Sequence, residues 1–232
     1  MNIIPQTDPW LIIQNNEFEK AINLIDVQFE TTRRYSLLRN KILALFHLKK
    51  YVEVISLSEK LIEYEKGESQ FDFISLGVAN WILGNTFKAI EAWQQSKKSS
   101  YKDAAGGLET EVYLYFAGIK THNIKLTFDA KRAIKKLLKL KKSTNWPGPL
   151  GHYLLNEITD KELFSNIVTV HILKERQLCQ AHFVFAIKRL ETGDTDGYYK
   201  KLRDCISYGS PSYLEQMYYL AKGELETIET PS

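Results

Sequence analysis

The chain has 232 residues, of which 44% are hydrophobic and 25% are charged. This composition is that of a folded soluble protein, and it excludes disordered, collagen-like and coiled-coil chains. The net charge of +3 falls short of the basic excess that marks a dedicated nucleic-acid-binding protein. The excess lies in the second half of the chain, where residues 117–232 carry 18 basic against 13 acidic side chains.

The N-terminal residues 1–14 predict no secretory signal, because no Lys or Arg precedes their short apolar patch. No segment approaches the roughly 20 apolar residues that a membrane-spanning helix needs. Prolines and glycines are few, which favours helices over a turn-rich β fold. We therefore expect an all-α, cytoplasmic protein.

Two related residue patterns come first along the chain. A turn residue is followed by an aromatic, a small and a large residue, at Asn16, Phe18, Ala21 and Ile25. The last three offsets recur 33 residues later, at Tyr51, Val54 and Ser58. A recurrence at this interval indicates a repeat of two helices.

The third pattern, over residues 76–93, is the most complete. Leu76 and Gly77 place a small residue where two helices cross, and Gly84 ends the first helix in a left-handed turn. Ala89 is small at the return crossing, and Trp93 fills the groove one turn later. These residues predict a helix, a turn and a second helix.

Beyond this unit the chain stays helical but loses the repeat length. Residues 108–121 and 124–141 predict a helix pair, and Pro149 suits the first turn of a new helix. Thr159 and Glu162 form a predicted capping box.

The repeat pattern returns near the C-terminus at Phe185-Ala186, Gly193 and Leu202, with Tyr198 where Ala is usual. A last helix is predicted over residues 211–227.

The Leu-Gly, Gly, Ala and aromatic offsets of residues 76–93 resemble the tetratricopeptide repeat. The resemblance implies a degenerate array of antiparallel helix pairs, a right-handed α-solenoid. We expect one domain over residues 1–232, with about six helix pairs and a C-terminal capping helix.

The sequence shows no pattern typical of catalysis. The five histidines lack metal-ligand spacing, and no glycine-rich phosphate loop or nucleophile motif is present. Cys179 and Cys205 fall on consecutive antiparallel helices, which can bring them together, and we expect two buried thiols. The prediction is a protein that is not an enzyme and has no cofactor or metal.

A run of basic residues is predicted to lie on one helix: Lys131, Arg132, Lys135, Lys136, Lys139, Lys141 and Lys142. Lys131, Lys135, Lys139 and Lys142 share one predicted face. That face is either simply solvated or a docking surface for an acidic partner or for phosphate. Nucleic acid is less favoured, because no aromatic residue is interleaved to stack on bases.

The repeat resemblance also assigns a strip of residues to the concave, partner-binding face, chiefly on the first helix of each pair. We call these residues the first-helix strip: Trp10, Arg39, Phe46, His47, Val78, Trp81, Ile82, Gln180, Phe183 and Glu191. Trp and Arg are frequent in binding hot spots. The alternative is that degenerate units close on themselves and bury the aromatic residues, which we favour for Trp10 and Phe183 and leave open for Trp81.

Five segments of the chain, taken together, are similar to bacterial tetratricopeptide-repeat proteins, some of which are immunity proteins of polymorphic toxin systems. The segments are residues 81–93, 101–107, 146–150, 193–194 and 213–225. The resemblance implies a protein that binds and neutralises a cognate toxin domain encoded beside it. The alternatives are an adaptor that binds a peptide or regulatory partner and, less favoured, an RNA-binding repeat. The candidate contact residues are Arg39, His47, Trp81, Lys131, Lys135 and Lys139.

Overall fold

A computed structural model describes residues 8–229. The first seven residues of the N-terminal stretch considered above therefore lie outside the described part. Within it, thirteen α-helices and two short 3-10 helices follow one another without a strand. The α-helices are α1 (Pro9–Gln14), α2 (Phe18–Thr32), α3 (Tyr35–His47), α4 (Tyr51–Tyr64), α5 (Gln70–Ile82), α6 (Thr86–Ser96), α7 (Leu108–Lys120), α8 (Ile124–Leu137), α9 (Gly148–Leu154), α10 (Asp160–Ser165), α11 (His171–Glu191), α12 (Thr195–Ile206) and α13 (Gln216–Glu229). The 3-10 helices are Lys141–Thr144 and Ser210–Leu214.

Consecutive helices pack against each other, so α1 to α12 form six neighbouring pairs in the described region. The all-α class is confirmed. None of the helices described here is both long and apolar enough to cross a membrane.

The unit at residues 76–93 has the predicted local structure. Gly84 has a φ of +78° between α5 and α6, and Ala89 and Trp93 are fully buried. A Cβ on Gly77 would lie 2.1 Å from Trp93 Nε1, so Gly77 lets the two helices approach. The small residue at the crossing and the left-handed turn are both confirmed.

Two further local predictions are confirmed. Thr159 Oγ1 accepts the Glu162 N–H, and the Glu162 carboxylate accepts the Thr159 N–H, which completes the capping box of α10. Pro149 lies in the first turn of α9.

The last helix differs from its prediction. The chain forms a 3-10 helix at Ser210–Leu214, and α13 begins only at Gln216. The helix α13 packs against α12 and α11 and also against α5, far back in the chain. It therefore joins the two halves of the protein.

The centre of the core is an aromatic cluster in which rings of α5, α6, α7 and α11 are in contact. Trp81 lies 5.0 Å from Phe116 and Trp93 lies 5.3 Å from Tyr113, measured between ring centroids. Phe116 in turn lies 5.6 Å from Phe183. The predicted burial of Phe183 is confirmed, since its side chain has no exposed surface.

The two glycines of this unit predict different costs of substitution. Gly77→Ala is expected to destabilise the protein by about 2–3 kcal/mol, because the fully buried Trp93 cannot make room for a methyl group. Gly84→Val is expected to cost about 1–2 kcal/mol from backbone strain alone, since nothing lies within 4 Å of its Cβ position. Gly84→Asn is the control, because Asn tolerates a positive φ. Urea denaturation measures all three, and a Gly84→Val variant as stable as the wild type contradicts the prediction.

Candidate protein-binding surface

The helix α13 covers much of the first-helix strip. Trp81 is buried, and its Nε1 donates a hydrogen bond to Glu224 Oε1 at 2.7 Å. Phe46 is also buried and stacks on Tyr219, with ring centroids 4.7 Å apart. The side chain of Trp81 is thus part of the core that α13 completes.

His47 lies in an aromatic cluster between α2, α3 and the C-terminal segment. Its ring stacks on Phe18 at a centroid distance of 4.2 Å and meets Tyr213 edge-on at 4.0 Å. Its Nε2 is buried and has no hydrogen-bond partner. Burial, assisted by the charge of Lys222, lowers the pKa of His47 to about 3. The ring is therefore neutral at pH 7 and brings no charge to a binding surface.

Arg39 is held between two carboxylates inside the protein. Its Nε and Nη2 donate to the two oxygens of Asp72 at 2.9 and 2.8 Å, and Nη2 also bonds Glu65. Asp72 is only 1% exposed, so this bidentate pair joins α3 to α5. Burial raises the pKa of the Asp72 carboxyl, and Arg39 opposes that rise. The guanidinium charge is already compensated within the chain.

The remaining residues of the first-helix strip also make contacts within the protein. Val78 is buried, and Trp10 and Ile82 are half-buried against the core. Gln180 and Glu191 make hydrogen bonds between helices. The last helix was predicted as a cap, but its position over the first-helix strip was not. Tyr213 in the second 3-10 helix, with Tyr218 and Tyr219 in α13, was the available signal, since aromatic residues gathered in a terminal segment need a surface to pack on.

The basic run does not lie on one helix, so this part of the prediction was wrong. The helix α8 ends at Leu137, and Lys141 and Lys142 fall in a 3-10 helix. The chain departs because the buried Ser143 hydroxyl donates to the Leu137 carbonyl at 2.8 Å. The end of the Lys142 side chain consequently lies against Gly106, away from the predicted face.

The cations of α8 divide into one that is paired and several that are not. Lys131 Nζ bonds Glu191 Oε1 at 2.8 Å and lies over the Tyr115 ring, 5.2 Å from its centroid. Four neighbouring cations are exposed and form no ion pair with any acid in residues 8–229. Together with Asp129 and Ala133, they line a shallow depression of about 500 Å³. We call these four residues the α8 basic surface: Arg132, Lys135, Lys136 and Lys139.

The α8 basic surface rests on a fixed support. Leu126, Ala130 and Ile134 follow helical spacing on the opposite face of α8, and all three are buried. Asn123 Oδ1 accepts the Leu126 N–H at 3.0 Å and caps the helix. The cations therefore project from a helix that is fixed to α7.

A second polar region is a cavity of about 530 Å³ between α5, α7 and α11. The Gln180 amide donates to Glu109 at 2.8 Å and to Glu215 at 2.6 Å, and Arg176 pairs with Glu215. Burial and the nearby charges of Glu215 and Asp103 raise the pKa of Glu109. These bonds tie α7 to α11 and to the segment before α13, and we interpret the network as a support for that junction.

The helix assignment allowed the two cysteines to come together, and in the structure they do; the predicted burial of both thiols is confirmed. Cys179 Sγ is 3.4 Å from Cys205 Sγ, and both are buried free thiols. Burial raises the pKa of Cys179, which keeps it protonated. Over residues 8–229, no three His, Cys, Asp or Glu side chains come together as a metal site would require.

Neither a comparison with models of protein families nor a search of curated proteins found a match to this chain. The surfaces are therefore interpreted from their own residues.

The buried histidines predict a loss of stability in acid. A ring whose pKa is lowered in the folded state binds its proton mainly in the unfolded state. His47 has a pKa of about 3, so its contribution to the free energy of unfolding is complete above pH 6.5. That contribution is lost as the pH falls from 6.5 towards 3. His182, with a pKa lowered to about 4 by burial, acts in the same direction. Each histidine is expected to lower the free energy of unfolding by up to about 1.4 kcal/mol for each pH unit between its folded-state pKa and pH 6.5.

The test is His47→Phe, which keeps a ring on Phe18 but cannot take up a proton. Urea denaturation between pH 7 and pH 4 should show a shallower fall in the free energy of unfolding than in the wild type. His171→Gln is the control, because the His171 side chain is 82% exposed. Equal slopes for His47→Phe and the wild type would show that His47 is accessible to protons in the folded protein.

Proposed function

We propose that this chain is a protein-binding helical protein that binds a bacterial toxin domain and neutralises it stoichiometrically. The observation that carries the proposal is the α8 basic surface, whose four cations have no acidic partner in the described part of the chain. Unpaired charge on a fixed helix face raises the rate at which an oppositely charged protein docks. The toxin assignment rests on the resemblance of the sequence to immunity proteins.

Neutralisation by occlusion fits the properties of this surface. A helical array provides an extended platform and needs no chemistry of its own to block another protein's active site. The α8 basic surface suits a partner with an acidic docking face. It is local, and the whole chain carries only +3, so contacts other than charge must supply much of the affinity.

The adaptor alternative is less well supported on the first-helix strip. A peptide carboxylate would need a free cation there, and Arg39 is already paired with Asp72 and Glu65. The strip is also occupied by α13 through Trp81 and Phe46. We therefore place the partner on α8 rather than on the first-helix strip.

The proposal is tested by co-expression with the protein encoded next to this chain. That protein should be toxic alone and harmless when the two are produced together, and the purified pair should form a one-to-one complex. Lys135→Glu with Lys139→Glu should slow association about tenfold at low salt and should make the rate less salt-dependent.

The control is Lys60→Glu with Lys88→Glu, which makes the same change in charge at exposed positions on α4 and α6. It should leave the association rate close to that of the wild type. A neighbouring protein that is not toxic, or that stays toxic with this chain in excess, refutes the immunity function and leaves the adaptor function in its place.

A further inference from the structure

A groove of about 890 Å³ runs beside the α8 basic surface, where the turn between α7 and α8 meets the turn between α11 and α12. Ile119 and Leu190 contribute to its walls, and both pack partly against the core. Two large apolar side chains at its edge are turned to solvent: Ile124 is 85% exposed and Phe128 is 62% exposed. Because these two side chains lie on adjacent turns at the edge of a groove, they form one apolar patch with it, which is the kind of surface that binds a partner.

The charges inside the groove are already satisfied. Glu191 accepts hydrogen bonds from Lys131 at 2.8 Å and from Tyr115 Oη at 2.6 Å, and Lys188 also bonds it. Burial opposes ionisation of Glu191, but these three donors outweigh it and lower its pKa to about 2. Lys120 is likewise paired with Glu224. The groove therefore offers a fixed, electrically compensated floor and needs no ion within it.

Uncompensated charge begins just outside the groove, on the same face of α8. Ile124, Phe128 and Arg132 follow one another at intervals of four residues. Lys135 is one turn beyond Arg132 and lies between Ile124 and Phe128 in angle around the helix. A ligand laid along α8 thus meets two apolar side chains first and then two cations. The order of these groups selects a ligand with an apolar stripe followed by negative charge.

We propose that this groove binds an amphipathic helix of the partner protein, with apolar side chains against Ile124 and Phe128 and acidic side chains against Arg132 and Lys135. The inference rests on the proposed function for the existence of a protein partner and adds the segment by which that partner docks. Helix-in-groove recognition uses apolar anchors at i, i+3, i+4 and i+7. Charge complementarity argues for an acidic protein segment over a second copy of this chain, because a symmetric dimer through this face would bring the same cations together.

The probe is a fluorescent peptide of about 16 residues. Leu occupies the positions i, i+3, i+4 and i+7, so that it forms one face of a helix, and Glu occupies most other positions. Fluorescence anisotropy with the full chain should show micromolar binding that weakens as salt rises. A peptide with Lys in place of Glu should not bind.

Phe128→Ser should weaken binding about tenfold or more, because it removes a central apolar anchor. The control is Phe87→Ser on α6, which changes an equally exposed Phe (79%) outside the groove and should have less than a twofold effect.

Several outcomes overturn the inference. Equal effects of Phe128→Ser and Phe87→Ser, or equal binding of the Lys peptide, would refute the groove or its charge preference. Binding of phosphatidylserine vesicles or of poly(U) RNA that is lost in Phe128→Ser would assign the face to a membrane or to RNA instead. Sedimentation that shows a wild-type dimer dissociated by Phe128→Ser would assign it to a second copy. Thermal melting of both variants confirms that they are folded.

The failure of this inference and that of the proposed function can be told apart. If the neighbouring protein is neutralised equally by the wild type and by Phe128→Ser, the groove is refuted and the proposed function stands. If the acidic peptide binds as expected but the neighbouring protein is not neutralised, the groove stands and its partner is another protein.

Discussion

One buried carboxylate bonds the last helix to three others. Glu224 on α13 is 4% exposed, and a carboxyl group so far from water is costly unless its oxygens are hydrogen-bonded. Its donors come from three other helices: Trp81 on α5, Lys120 on α7 and Tyr198 on α12. Removing any one of them leaves a buried acceptor short of a partner. Apolar contacts favour the packing of α13, and these hydrogen bonds fix the position in which it packs.

This constraint also decides which surfaces remain for a partner. By covering Phe46 and Trp81, α13 removes from solvent the aromatic residues that would otherwise form a binding strip. It also draws Lys120 into an internal ion pair. The outer face of α8 stays exposed, with Ile124 and Phe128 turned to solvent and with four cations that form no ion pair in the described chain. Function is thus expected on a second helix of a pair, which the repeat resemblance alone does not indicate.

The features that the sequence predicted correctly are local ones. The turn at Gly84, the crossing at Gly77 and the capping box at Thr159 each depend on residues only a few positions apart. Periodicity and turn chemistry suffice to recognise them.

The features that were missed depend on contacts between distant residues. Trp81 and Glu224 are 143 residues apart, and no pattern in a single sequence joins them. Tyr198 stands where the sequence pattern predicted a small residue, and its hydroxyl donates to Glu224 at 2.7 Å, a contact that no local pattern reveals. The early end of α8 likewise depends on Ser143, which is buried beside Ala105. Departures from the repeat pattern thus mark the points where the chain folds back on itself.

The order in which the ribosome makes these elements has a consequence for the cell. Synthesis proceeds from the N-terminus, so α3, α5 and α7 emerge well before α13 exists. At the usual rate of elongation, the 143 residues between Trp81 and Glu224 take roughly 7–30 s to make. During that interval the apolar face of Phe46 and Trp81 is open, and Lys120 has no carboxylate to meet. The N-terminal helices therefore expose this apolar face until the last residues are made, and only the packing of α13 removes it from water.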